Sequence, residues 1–436
     1  MQRTGGSTTQ PEVAGELLVL DCAYTLDEIK TRGLEHVIGQ LDLDGLFEHV
    51  WQVHPLMDAG AAEPGRALFG PAQVTRMSPR HTMIEAPIAR GRSLRRVMAF
   101  NLLLGQWLLF VRLCRLARGR GVSVIAVADP FYLGLWGLAL SAVLRIPFVV
   151  KVNANYDLVH EADGSLAYPR LIPCRRLELL IVRVVFSRAD LVTVGSDDNL
   201  RYAMRHGAPR RRIAFVPTGD MIAGVHRQPP HERTSIAEEV DLVDRRFIVY
   251  VARLEPSKHP EDVLVALAKV RRTMPETALL MVGDGSMRAQ LEAQAAELGV
   301  LADVRFAGFR DQLWIARALT SATAVACPLS GLALVEAALS STPVVGYDVE
   351  WHSEFITSGE TGILVSYRDT DALAQAIAEL IGDPERSRAL GETARSRALR
   401  AMDREEAVAI KRAVYSRVSA SSGRARRRRT GRQTRR

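Results

Sequence analysis

Short apolar runs of strand length alternate with helix-length segments along most of this chain, and that alternation limits the fold more than any other feature. ELLVLDC, SVIAVAD, PFVVKVN, DLVTVGS and IAFVPTG form one series, and FIVYVAR, ALLMVGD, VRFAGF, AVACP, PVVGYD and GILV a second. Such runs are apolar throughout rather than every second residue, as expected of strands covered on both faces. The pattern predicts α/β architecture with two doubly wound parallel sheets. A length of 436 residues agrees, since it exceeds what one core supports.

The boundaries follow from composition. Residues 1–15 are polar and predicted disordered; 16–225 form the first domain, 226–246 a Pro/His/Glu-rich linker, 247–398 the second domain, 399–418 a closing helix, and 419–436 a disordered Arg-rich tail. The first domain also holds a strand candidate at HVWQV, an open loop over Tyr24–Gly33, and a Gly/Pro/Arg-rich stretch from Asp58 to Arg95 with one strand near Thr82–Glu85. The run Phe131–Val150 contains Arg145 and Pro147, which predicts a buried helix and a strand rather than a membrane span. The polar start and the Asp21 that interrupts the first apolar run predict no secretory signal.

The net charge of +8 lies in the tail, where eight arginines stand between Arg424 and Arg436; without them 49 basic residues face 49 acidic ones. A neutral body argues against nucleic acid as the main partner. The tail is either a solubilising end or a contact for anionic lipid or nucleic acid. From Val97 to Arg118 apolar residues recur at helical spacing, with Arg112, Arg115 and Arg118 on one face. That helix presents either a solvated basic face or one lying against an anionic membrane. Cys22, Cys114, Cys174 and Cys327 are scattered, so buried thiols in a reducing compartment are expected and no metal site is predicted. The expected location is cytoplasmic, with peripheral contact at the inner face of the membrane.

The chemistry concentrates in the second half. In VARLEPSKHPEDVLVAL, Arg253 leaves a strand end and Lys258 lies on the following loop, so a planar fork and a mobile point charge both overlook the sheet edge. Either they hold phosphate or they pair with Glu255 or Glu261. Gly283 ends the next strand in VGDG, and Gly308 the one after it in FAGFR, where Phe309 and Arg310 follow. In CPLSGLALVEAALSSTPVV, Ser330 is a plausible helix cap and Gly331 opens a helix that continues through Leu339, with free amides around Ser330–Leu332 at its start. Glu336 lies inside an apolar segment, where a carboxylate needs donors; sugar hydroxyls or an internal arginine would serve. Asp129, Lys30 and Asn153 stand at strand ends or loops of the first half and are candidates for the acceptor side.

The order VARLxPxKH, VGDGxxRxxLE, VRFAGF, GLALVEAALSSTPVV and GETGILV resembles the retaining glycosyltransferases of family four, glycosyl transferases group 1, which have the GT-B fold. The likeness covers Phe247–Leu380 and extends more loosely to the first half. It implies that Arg253 and Lys258 hold a donor diphosphate, Glu336 the ribose, the Gly308–Arg310 turn the base, and the amides around Ser330–Leu332 a phosphate or the sugar. Many members carry two glutamates with seven residues between them; Glu336 matches the second, and Pro328 occupies the first position. Many also place a histidine after the strand PFVVKVN, where this chain has Asn153 and Asn155. The implied activity is metal-independent, retaining hexosyl transfer from a nucleotide diphosphate sugar to a carbohydrate or lipid-linked acceptor, with no cofactor beyond the donor itself. A nucleotide-sugar epimerase of the same fold, and a silent binding or scaffold protein, are the alternatives.

Overall fold

The computed structural model describes residues 15–31, 34–38, 41–57, 70–87 and 98–433. In the first domain the strands are β1 (Glu16–Leu20), β2 (His49–Met57), β3 (Gln73–Ser78), β4 (His81–Pro87), β5 (Val122–Val127), β6 (Phe148–Val152), β7 (Leu191–Val194) and β8 (Ile213–Phe215). They form one sheet in the order β3-β4-β2-β1-β5-β6-β7-β8, parallel except where β3 runs against β4. The second domain contributes β9 (Phe247–Val251), β10 (Ala278–Val282), β11 (Val304–Gly308), β12 (Ala324–Cys327), β13 (Val344–Tyr347) and β14 (Ile363–Val365). These lie parallel in the order β11-β10-β9-β12-β13-β14.

Residue alternation explains why both sheets are apolar on two faces. On β9, Ile248 and Tyr250 enter one core cluster while Phe247 and Val249 enter another. On β1, Leu18 and Leu20 face one layer and Leu17 and Val19 the opposite one. Successive strand side chains point to opposite faces, so continuous apolar runs feed two helical layers at once. In the second sheet β9 has β10 on one side and β12 on the other. The winding reverses there, opening a crevice outside the carboxyl ends of β9 and β12. Both sheets are of the GT-B type that the motifs imply.

The two domains are clasped by the last helix, Arg404–Gln433. It returns to the first domain, where Arg404 pairs with Asp44 at 2.8 Å, Arg412 donates to the Leu43 and Asp44 carbonyls, and Lys411 pairs with buried Asp220. The Tyr415 ring meets Phe47 edge-on, with centroids 6.0 Å apart.

Several sequence expectations differ from the structure. Residues 419–433, expected as part of a disordered tail, continue the closing helix, and 434–436 lie outside the described residues, as do 1–14 of the expected disordered N-terminus. Segment 226–246, expected as a linker, packs onto the second domain, with Ile236 and Leu242 buried in its core. Between 70 and 87 there are two strands, not one; β3 is an exposed edge strand and so carries no apolar run. Residues 58–69 and 88–95 of that stretch lie outside the described ones. Most of the expected Tyr24–Gly33 loop is a short helix, Leu26–Thr31, with residues 32 and 33 outside the described ones. Cys114 and Cys327 are buried, but Cys174 is exposed at the start of the Arg175–Arg188 helix.

Helix Pro384–Ala401 packs closely enough on the second domain that a Cβ on Gly391 would lie 1.8 Å from the Ser341 carbonyl oxygen. Gly391→Ala should therefore cost at least about 2 kcal/mol. Chemical denaturation of the full chain measures this; an unchanged midpoint would mean that the helix is free to shift.

Candidate active site

The carboxyl end of β9 leads into a turn held from beneath. Gly283, at φ +132°, brings the turn after β10 so close that a Cβ there would sit 1.9 Å from the Ala252 carbonyl oxygen. The Glu255 carboxylate accepts from the Ser286 amide at 3.1 Å and from its hydroxyl at 2.6 Å. Glu261 lies 3.5 Å from both His259 and Arg368. Both carboxylates that could have neutralised Arg253 and Lys258 are thus engaged elsewhere. Neither cationic side chain forms an ion pair or hydrogen bond with a described residue.

Arg253 is exposed, whereas Lys258 is partly buried in the Pro256–Lys258 turn. Burial, followed by repulsion from Arg253, holds the Lys258 ammonium below the ordinary lysine range, while the Glu350 carboxylate opposes the shift. Burial raises Glu350 in turn, against the attraction of Lys258. A cation in this position gains from an arriving anion, because its own counter-charge is incomplete.

Across the reversal point, β12 is followed by buried Pro328 and Leu329. His352 fixes the turn beyond them: in the neutral ring Nδ1–H donates to the Tyr347 carbonyl at 2.9 Å, which leaves Nε2 to accept from the Ser330 amide at 3.2 Å, with the Ser330 carbonyl also 3.1 Å from Nε2. Burial lowers the His352 pKa, which maintains this neutral form. Ser330 is only 2% exposed and its amide is occupied. Gly331 is exposed, and among the described residues neither the Gly331 nor the Leu332 amide has an acceptor. One turn further, on the Ala333–Leu339 helix, Glu336 is 8% exposed and accepts no hydrogen bond from a described residue. Its nearest cationic candidate is buried His226, 3.9 Å away, which also bonds Gln312 at 2.8 Å. Among the described residues no internal arginine pairs with Glu336, so its hydrogen-bonding capacity is open to an outside donor.

Gly308, at φ +69°, ends β11, and its carbonyl accepts from the Gly283 amide at 2.9 Å. Phe309 and Arg310 are exposed beyond it, the Arg310 guanidinium lying 5.0 Å from the Trp314 ring centroid. Arg253, Lys258, Gly283, Gly308, Ser330 and Glu336 therefore all follow the carboxyl edge of one sheet.

The first-domain candidates are more dispersed. Asp129 follows β5, but its carboxylate accepts from the Phe131 amide at 2.8 Å and the Tyr168 hydroxyl at 2.6 Å. Burial pushes its pKa up to about 6 despite those donors. Asn153 follows β6 and donates to the Ala128 carbonyl at 2.9 Å, tying the two strand ends together. Lys30 is exposed in the last turn of its helix. The Tyr156–Asp163 helix after Asn153 packs on the Pro256–Lys258 turn, so the two domains meet beside Lys258. On the same side Glu354 accepts from the Asp197 and Asp198 amides, both at 2.7 Å.

Among the described residues, His259, Glu261 and Asp262 form a group with metal-ligand spacing. Arg368 occupies it, 2.9 Å from His259 Nδ1 and 3.4 Å from Asp262, and the arrangement functions as an ion-pair network. Sequence reasoning missed His226, Glu350, His352 and Glu354. Only His352 left a signal, as a histidine just past the strand PVVGYD.

Residues 232–397 match the family described as glycosyl transferases group 1, and residues 71–219 match glycosyltransferase family 4. The GDP-mannose-dependent alpha-(1-6)-phosphatidylinositol monomannoside mannosyltransferase of Mycolicibacterium smegmatis is 31% identical over 279 residues, which are 61% of this chain and 71% of that protein. The chain belongs to the group 1 glycosyltransferases. This glycosyltransferase is also 32% identical over 264 residues to a Mycobacterium tuberculosis glycogen synthase, spanning 60% of each. Sucrose-phosphate synthase from Thermosynechococcus elongatus shares the fold with a TM-score of 0.71 at 19% identity, covering 93% of this chain and all 100% of that one. HepE of Anabaena, solved in complex with UDP-glucose, has a TM-score of 0.67 at 17% identity, with coverage of 93% and 100%.

The lowered Lys258 pKa gives a pH test. Only the protonated ammonium attracts a diphosphate, so affinity for a nucleoside diphosphate should fall as pH rises through a value below that of ordinary lysines. Calorimetry across that range should show the decline in the wild type, and Lys258→Ala should bind more weakly with that step removed. A step of equal size in the variant would assign the titration to another group.

Proposed function

We propose that this glycosyltransferase moves a hexosyl group from a nucleotide diphosphate sugar to a carbohydrate or lipid-linked acceptor, with retention at the anomeric carbon and without a metal ion. The observation that carries the reading is the pair Arg253 and Lys258, which form no ion pair with a described residue and whose counter-charge from Glu350 is incomplete, at the same sheet edge as a buried Glu336 that accepts no hydrogen bond from a described residue. The relatives' activities, on a GDP-mannose donor and a phosphatidylinositol monomannoside acceptor in one case and in glycogen synthesis in another, fit the same class.

In this reading the two cations receive the diphosphate, Glu336 accepts from the ribose hydroxyls, and the Gly308–Arg310 turn meets the base. As the bond between the anomeric carbon and the phosphate oxygen breaks, negative charge gathers on the departing diphosphate. Arg253 and Lys258 stabilise that charge more strongly than they stabilise the bound donor, which is what lowers the barrier. The acceptor hydroxyl attacks from the face the diphosphate leaves and passes its proton to the departing phosphate oxygen, and no carboxylate nucleophile is assigned. Pro328 supplies no carboxylate for the sugar, and Ser330 is buried with its amide on His352. The sugar contact then falls to the Gly331 and Leu332 amides. Asp129 acts here as a structural cap for the acceptor side, while Asn153 and Lys30 are the residues there that can meet an acceptor. A cytoplasmic setting at the inner face of the membrane belongs to the same reading.

Arg253→Ala and Lys258→Ala should each lower turnover by about a hundredfold or more, from the size of comparable electrostatic contacts. The assay is acceptor-dependent release of nucleoside diphosphate from the donor, once a thermal-shift screen has chosen among UDP, GDP and ADP sugars. Unchanged turnover in both variants would remove the diphosphate role.

A further inference from the structure

The outer side of the first domain carries a surface that sugar transfer does not use. On the Met98–Arg120 helix, Phe100, Leu103 and Trp107 are 57, 67 and 62% exposed and Leu108 is 42% exposed. Their spacing places them on one side of the helix. Leu109, Leu113 and Ala117 on the other side are buried in the first-domain core. The helix is long and apolar enough to cross a membrane by composition, but one side is committed to the sheet, so it can lie on a bilayer and not span it. Trp107 is braced by Phe110 at 6.1 Å between centroids, and Phe110 by Trp136 at 5.8 Å.

The charge around this patch identifies what would cover it. Arg112, Arg115 and Arg118 lie in the second half of the helix and form no ion pair with a described residue. In sequence, Ile88–Arg120 contains no aspartate or glutamate, and its arginines also include Arg90, Arg92, Arg95 and Arg96. A cluster of exposed large apolar side chains is uncommon on a soluble surface, and one that shares its helix with exposed arginines and no acidic residue matches a layer that offers hydrocarbon beneath negative headgroups. The helix also adjoins the acceptor side. Gln106, next to Trp107, accepts from the Tyr132 hydroxyl at 2.8 Å, and Tyr132 begins the helix that follows Asp129.

From these observations we infer that the exposed face of the Met98–Arg120 helix docks on an anionic lipid bilayer, with Phe100, Leu103 and Trp107 entering the headgroup boundary and Arg112, Arg115 and Arg118 contacting lipid phosphate. The inference deepens the lipid-linked acceptor of the proposed function and rests on it, but its test needs no activity, so the two can fail separately. The full chain is floated with vesicles of phosphatidylcholine alone or mixed equally with phosphatidylglycerol, beside a Leu103→Glu/Trp107→Glu double variant and a chain ending at Ser419. The wild type and the shortened chain should float with the mixed vesicles, and the double variant should lose about tenfold or more of that partition while keeping the wild-type circular dichroism. A free-phosphate contact would be indicated by binding that inorganic phosphate abolishes and the double substitution does not, and this would overturn the proposal. So would equal flotation of the double variant, loss of flotation in the shortened chain alone, or a dimer in gel filtration that the double substitution dissolves in the absence of vesicle binding.

Discussion

Everything at the candidate site depends on two cations that the protein leaves without full counter-charge. Arg253 and Lys258 follow the central strand of the second sheet, where every other function of the loop is already assigned: Glu255 to Ser286, Glu261 to Arg368 and His259. Holding Lys258 partly buried beside Arg253 costs stability, which shows as its lowered pKa, and Glu350 offsets only part of that cost. A folded protein seldom keeps like charges together in a half-buried turn unless a ligand completes the arrangement. The glycine at 283 lets the turns after β9 and β10 approach within backbone contact.

The second half of the site is held by neutral rather than charged groups. His352, fixed in one tautomer by the Tyr347 carbonyl, positions Ser330 and with it the Gly331 turn. Two residues later Glu354 reaches the first domain and caps the Asp197–Arg205 helix through two amides. The segment that shapes the Gly331 turn is therefore also a segment that joins the domains. The closing helix adds a second tie, through Arg404, Lys411 and Tyr415. Domain position and the shape of the candidate site are linked by the short stretch from His352 to Glu354.

Much of this was legible from the sequence for a plain physical reason. Buried parallel strands must be apolar on both faces, so the strand series and the two-sheet architecture were visible, and the residues at strand ends followed directly. Arg253, Lys258, Gly283, Gly308 and Glu336 all stand where the alternation placed them. What escaped was whatever depends on partners distant in sequence. Glu354 meets Asp198 across 156 residues, and Tyr168 meets Asp129 across 39; no local pattern encodes either. Edge strand β3 escaped because an exposed strand carries no apolar run, and the packing of 226–246 because isolated residues such as Ile236 and Leu242 anchor it without periodicity.

The central claim is that this sheet edge receives a nucleotide diphosphate sugar. A crystal structure of the full protein with such a donor bound tests it most directly. The expected result is diphosphate oxygens within hydrogen-bonding distance of the Arg253 and Lys258 side chains and ribose hydroxyls donating to Glu336. Donor bound elsewhere, with both cations still facing solvent and Glu336 still without a donor, would contradict the account.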